Sequence, residues 1–409
     1  MPGIMASTPC SKRLLVLLVM ATFAACGGEI PPPPTEPAGL AIVGAQLVDG
    51  TGVAPVADSV IVIRDGRIQA AGPRDTTAIP AGAELVDAAG KTVIPGLVDL
   101  HAHYGGELAA SERALKMQLY YGVTTTRSIG SDDPEKVALM LEANAGRPDL
   151  PRAFTAGRGF SYPDGFNARI ANTPTSEEEA RQMVREQAAL GIHFSKMWVN
   201  AVPEPGLKIP PEIRAAIVDE SIKNGLIPVA HIDEEADAVQ LLEAGLNEFL
   251  HSTVLTFGPG AGVPMDDPEP SQATLDLCLA HDCAFTPTLS ITQNNWHFAE
   301  HPELLDDPDL RAVMNPAALE RFSNPETRAR IVDAPEFEDR KAAFRQVQDF
   351  VKTIHDAGIK VALGTDSGTA NVPMGWGTHH ELELYVEAGL TPMETLVAAT
   401  ATGASRVPP

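Results

Sequence analysis

From Leu97 onward the chain alternates short apolar runs with longer segments of helical period. The runs GLVDLHAH, GVTTTR, AFTAG, HFSKMW, LIPVAH, NEFLH, AFTPTL and KVALGTD read as eight strands, ending near His103, Arg127, Gly157, Trp198, His231, His251, Leu289 and Asp366. Between them lie amphipathic stretches such as ASERALKMQLYYG, SEEEARQMVREQAALG and FEDRKAAFRQVQDFVKTIHDAG, several closed by the glycine that favours a helix C-terminus. LELYVEAG and PMETLVAATATGA add helices after the last strand. Strand and helix in regular alternation predict a parallel sheet, and eight repeats predict a closed (β/α)8 TIM barrel over residues 97–409. Residues 40–96 have a different texture, with short β-rich runs broken by glycine and Asp-Gly turns. This predicts a small β subdomain with a hairpin at RDGR, Arg64 to Arg67.

The N-terminal segment departs from both patterns. Lys12 and Arg13 precede the apolar run LLVLLVMATFAA, too short to span a bilayer comfortably, and small residues lead into Cys26. Residues 1–26 therefore read as an export signal. Phe23-Ala24-Ala25-Cys26 resembles a bacterial lipobox, in which the cysteine is lipidated, although Phe23 stands where leucine is usual; the alternative is a plain secretory signal cleaved near Ala25. Residues 27–39, including a run of four prolines, form a stiff tether. The expected location is the periplasm or cell envelope of a bacterium, with membrane contact only through the lipid anchor. With 54 acidic against 30 basic residues the chain carries a formal charge of -24, which excludes a phosphate-binding surface and hence a nucleic-acid partner. Cys278 and Cys283 are the only cysteines beyond the leader, either as a disulfide or as two buried thiols.

The chemistry gathers where barrel enzymes keep it, at the C-terminal ends of the strands. His101 and His103, one residue apart on a strand, face the same side. Taken alone they could be a strand end hydrogen-bonded to a loop. Lys196 on the fourth strand, His231 on the fifth, His251 on the sixth and Asp366 on the eighth join them from distant parts of the sequence. Imidazoles and a carboxylate are the donors zinc favours. Lys196 sits among Phe194, Met197, Trp198 and Val199, an unusual setting for a surface lysine. Arg127 and Tyr104 are candidate substrate contacts, Arg127 because a guanidinium at the end of the second strand could grip a carboxylate; a structural salt bridge is its alternative. His193, His281, His355, His379 and His380 fit no ligand position.

PGLVDLHAH, YGVTTTRSIG, HFSKMWV, PVAHIDEEADAVQLLEAGLNEFLHS, TPTL and GIKVALGTDSG, in this order, resemble the amidohydrolase superfamily of metal-dependent hydrolases, on its imidazolonepropionase-like and prolidase-like side. The resemblance implies two divalent ions, commonly zinc, with His101, His103 and Asp366 on one, His231 and His251 on the other, and a carbamylated Lys196 bridging them. It further implies that a metal-bridging hydroxide attacks an amide-type C–N bond in a small molecule, such as a dipeptide, an N-acyl amino acid or a cyclic amide, with Asp366 as the proton acceptor and later donor. Ester, lactone or phosphotriester hydrolysis on the same site is the first alternative, and a non-catalytic metal- or solute-binding lipoprotein the second. Relatives continue past the equivalent of PMETLVAATATGASRVPP into strands that complete a β-sandwich with the N-terminal segment, so the small subdomain is expected to lack its C-terminal strands. Nothing in the sequence fixes an oligomeric state.

Overall fold

The computed structural model describes residues 39–200, 207–252, 265, 269–369 and 371–409. The export signal, Cys26 and the proline tether lie outside the described residues.

Five short strands come first: β1 (Leu40–Leu47), β2 (Val56–Arg64), β3 (Arg67–Pro73), β4 (Glu84–Asp87) and β5 (Thr92–Val93). They form one sheet in the order β3-β2-β1-β4, with β5 also pairing β1. The hairpin falls where the Asp-Gly pair places it: Arg64 pairs Arg67, and Asp65 and Gly66 both take the left-handed backbone that a two-residue turn matched to strand twist requires. Ala41, Val43, Val60 and Val62 make a small apolar cluster on this sheet. All other described strands belong to the barrel, so among the described residues the expected sandwich is a single sheet.

The barrel strands are β6 (Leu97–Ala102), β7 (Val123–Ser128), β8 (Arg152–Thr155), β9 (Phe194–Val199), β10 (Ile227–Ile232), β11 (Glu248–Leu250), β12 (Ala284–Thr286) and β13 (Lys360–Val361). Pairing runs β6-β7-β8 and β9 through β13 without a swap, every pair parallel. Two bridges join these arcs into a ring, Phe160 to Met197 after β8 and Ala102 to Ser367 after β13. The eighth strand is hydrogen-bonded as a strand for two residues, shorter than expected. Residues 362–366 nevertheless stay in the ring, because Leu100 N–H donates to the Leu363 carbonyl and Asp366 N–H to the His101 carbonyl. Gly364 permits this approach: a Cβ there would lie 2.8 Å from the Cβ of His101 and 2.4 Å from the Thr286 methyl.

The helices fall where periodicity put them, including Leu108–Tyr120, Glu177–Ala188 and Phe337–Asp356. One region was not anticipated. After β12 the expected strand ending at Leu289 stops at Thr286, and six short helices follow between Leu289 and Val332. Their starts carry local signals: Asp307, Asn315 and Asn324 each cap a helix whose next residue is proline. They enclose their own apolar cluster around Phe298, Leu310 and Phe322. Cys278 and Cys283 are both buried and free, as the thiol alternative had it.

Candidate metal centre

The strand ends bring five of the six expected ligands into mutual contact. His103 Nε2 lies 3.0 Å and His101 Nε2 3.4 Å from Asp366 Oδ1. Ring centroids are 4.9 Å apart for His101 and His251, and 4.2 Å apart for His231 and His251. One donor atom each from His101, His251 and Asp366 fall within 4.8 Å of one another. That tight group takes in residues the resemblance assigns to different ions.

The sixth residue, Lys196, is fully buried, its Nζ 5.4 Å from the Trp198 ring centroid and without a hydrogen-bond partner. Burial drives its pKa well below the ordinary lysine range and nearby Arg127 pushes the same way, against Asp366. An unpartnered amine at the heart of a ligand cluster is a costly feature unless something completes it. Burial, chiefly, also holds His101, His231 and His251 well below the usual histidine range, in the neutral form that ligates metal. Burial works to raise the Asp366 carboxyl, but His103, whose Nε2 lies 3.0 Å from its Oδ1, outweighs burial and leaves it lowered and ionised. Three imidazoles in neutral form, a fourth at the rim, an anionic carboxylate and an orphaned lysine fit a divalent cation.

A second layer orients these groups. His251 Nδ1 meets Thr288 Oγ1 at 2.6 Å, leaving Nε2 for the centre. His103 Nδ1 lies 3.4 Å from Ser131 Oγ. Asp99, buried, accepts from the His101 N–H, the Thr365 N–H and hydroxyl, and Gln118 Nε2, tying β6 to the chain after β13. Asp132 accepts from Ser128 and Thr155 hydroxyls. Two ligands and one orienter, His251, Asp366 and Thr288, have φ of 72°, 60° and 54°, a left-handed backbone that such residues adopt at a cost and that concentrates at functional sites. Asp99 was legible, since it shares the period-two face of His101 and His103. Thr288 was not, because only folding brings it to His251.

Arg127 takes its salt-bridge alternative, and the substrate role of Tyr104 is corrected. Arg127 is wholly buried inside the barrel: its Nη2 pairs with Glu248, its Nε donates to the Leu100 carbonyl at 2.7 Å, and its guanidinium stacks 4.7 Å above Phe194. Tyr104 is equally buried, with its hydroxyl 2.8 Å from Thr126 Oγ1. Neither can meet a substrate from solvent. The missed signal was paired: one cation in VTTTRS and one acidic residue in NEFLH, each without an opposite charge in its own strand, point to a buried ion pair.

The family pattern described as the amidohydrolase family matches residues 92–406. The chain belongs to that family. Among curated relatives, an uncharacterised protein of Mycobacterium tuberculosis is 28% identical over 247 residues, 57% of this chain and 58% of the relative, so the match spans a little over half of that relative's length. The imidazolonepropionase of Mycolicibacterium smegmatis is 26% identical over 367 residues, 85% of this chain and 78% of the relative. Among solved structures, a protein of Bifidobacterium longum assigned as a prolidase superposes with a TM-score of 0.67 at 27% identity, covering 90% of this chain and 83% of its own. A Xaa-Pro dipeptidase at 18% identity and TM-score 0.67, with 90% and 88% covered, shares the fold.

Proposed function

We propose that this chain is a metal-dependent hydrolase of an amide-type C–N bond in a small molecule. The observation that carries this reading is the convergence of His101, His103, His231, His251 and Asp366 around the partnerless amine of Lys196. The imidazolonepropionase relative and the prolidase-like neighbour support the bond type. His101, His103 and Asp366 would hold one divalent ion, commonly zinc, and His231 and His251 a second. Lys196, kept neutral by burial, is the form of an amine that adds to CO2; with the N–H proton given up, the resulting carbamate would offer an anionic donor where there is otherwise an unpaired amine. Such ions, when bound, polarise a carbonyl and lower the pKa of a water towards neutrality. Asp366, ionised and 3.0 Å from His103 Nε2, would take a proton from the attacking water and return it to the departing nitrogen. Thr288 holds the His251 ring by its Nδ1 while this occurs, and Asp99 holds the His101 backbone.

The deciding experiment joins elemental analysis to a hydrolysis screen. Protein produced in zinc-replete medium should carry about two ions per chain and lose activity on chelation. It should cleave members of a dipeptide, N-acyl amino acid and cyclic amide panel. Cleavage confined to lactones, esters or phosphotriesters would sink the C–N assignment, and absence of bound metal would sink the mechanism.

We also place the protein in the bacterial cell envelope, on the basic-apolar-small order of residues 12–26 and the cysteine that ends it. Acyl chains on Cys26 would supply membrane attachment, since among the described residues no helix is long and apolar enough to cross a bilayer. Wild-type protein should sediment with membranes and Cys26→Ala should not; equal release of both into the soluble fraction favours a cleaved secretory signal.

A further inference from the structure

Solvent reaches the ligand cluster unevenly. His103 keeps 18% of its side chain exposed, against 1% for His101. On the His103 side lies a cavity of about 420 Å³. Ala110, Ala114 and Met117, spaced three and four residues apart, present one face of helix Leu108–Tyr120 as its first wall. Val313 and Met314 form the opposite wall, from the helical insert after β12, and Met374 closes it.

The cavity's chemistry stands apart in a chain whose formal net charge is -24. Among the described residues, no lysine, arginine, aspartate or glutamate lines it. Several of its polar atoms are engaged within the protein: Thr369 Oγ1 donates to the Asp366 carbonyl, Asn315 Oδ1 accepts from the Ala317 N–H, and His103 meets Asp366 and Ser131. A charged substituent placed there would lose water and gain no ionic partner. An apolar one would gain the burial of its surface, and three methionines, Met117, Met314 and Met374, would let the walls adapt to its shape.

Resting on the reading of the ligand cluster as a hydrolytic metal centre, we infer that this cavity receives an uncharged, apolar group of the substrate, within a few bonds of the carbonyl that is attacked. The preferred substrates are then amides bearing a branched aliphatic or aromatic group beside the scissile bond, and substrates with a charged group there are rejected. Small residues on the helix wall set the depth of the site. Ala114 is a specificity-determining position, because a larger side chain there fills the space opposite Val313.

The test uses a homologous series of hydroxamates, from acetohydroxamate through hexanohydroxamate to phenylacetohydroxamate, titrated calorimetrically into the zinc-loaded full chain. The head group is common to all and the tail alone varies. A parallel arm titrates the corresponding simple amides into metal-free protein. Each methylene buried is worth about fourfold in affinity, so hexanohydroxamate should bind wild type at least tenfold more tightly than acetohydroxamate, with the same rank order in the metal-free arm. In Ala114→Phe, and separately in Val313→Phe, which narrows the cavity from the opposite wall, the dependence on tail length should vanish while the thermal midpoint stays near that of wild type. Affinity independent of tail length in wild type, or a dependence that survives both substitutions, overturns the cavity assignment. Tighter binding of a tail ending in carboxylate or ammonium overturns its apolar character. Failure of acetohydroxamate itself to bind the zinc-treated protein counts against the metal centre alone, and the rank order of the amides then decides the cavity.

Discussion

In the proposed mechanism Asp366 combines two roles, metal ligand and base. It touches His101 and His103, and its backbone sits at φ 60°, a conformation held in place because its N–H donates to the His101 carbonyl and its carbonyl accepts from Thr369. Replacing it with asparagine preserves size and an oxygen donor and removes the base. Asp366→Asn should keep the fold and the ion held by His231 and His251, yet lose on the order of 10²-fold or more in turnover. Metal content and turnover measured on the same sample check this; near-native turnover with metal retained makes Asp366 structural. All six candidate ligands were legible as individual residues because strand period two and the strand-end rule constrain where such side chains can point. Arg127 and Tyr104 were misplaced for the converse reason: they too sit in or just past a barrel strand, and the sequence does not say whether a polar group there faces the rim or the closed interior.

At the scale of elements, the segment after β12 does more than connect. Thr288, left-handed, holds His251, and the next two backbone N–H groups, of Leu289 and Ser290, both donate to Glu381 at 2.7 Å. Glu381 belongs to the helix Trp376–Glu387, so that helix pins the turn that orients a ligand. Burial raises the Glu381 carboxyl to about 8, above its ordinary 4.5. The folded chain therefore keeps a proton there that the unfolded chain has released. The resulting stability is full below the unfolded value and declines as pH rises from about 4.5 towards 8, at no more than about 1.4 kcal/mol per pH unit. Glu381→Gln abolishes this titration and replaces one acceptor oxygen with a donor facing an N–H. The variant should be less stable by about 1–3 kcal/mol at pH 5. Its deficit should shrink towards pH 8. Urea midpoints of both proteins across that range test the sign, and parallel curves would remove Glu381 as the cause. The six short helices of this segment escaped the sequence reading because each is too short to show a period, though their Asp-Pro and Asn-Pro starts were visible.

For the whole molecule, the buried Arg127–Glu248 pair links β7 to β11 across the barrel interior, beneath the ligand ring. A charge so deep is tolerable only while its partner remains. Arg127→Met should destabilise the chain by about 3–5 kcal/mol through the abandoned carboxylate, while Arg127→Met combined with Glu248→Leu should recover much of that loss. Thermal midpoints of the single and double variants decide it; a double variant no better than the single would mean that Arg127 acts through its bond to the Leu100 carbonyl and its stacking on Phe194.

The sequence by itself determined the order of strands and helices, the hairpin at Asp65-Gly66, the burial of Cys278 and Cys283 as one of two alternatives, and the set of residues that meet at the rim. Those features follow from local periodicity, turn chemistry and the rule that parallel strands end on one side. Tertiary structure decided what depends on contacts between distant segments. It paired Arg127 with Glu248, seated Tyr104 on Thr126 and gave Thr288 its histidine. It also set His101, His251 and Asp366 as the tightest donor group, and enclosed an uncharged cavity between a helix before β7 and an insert after β12. These hydrogen bonds and the ion pair join groups from 22 to 121 residues apart, and no local pattern encodes which of several polar groups will face which other once the ring closes.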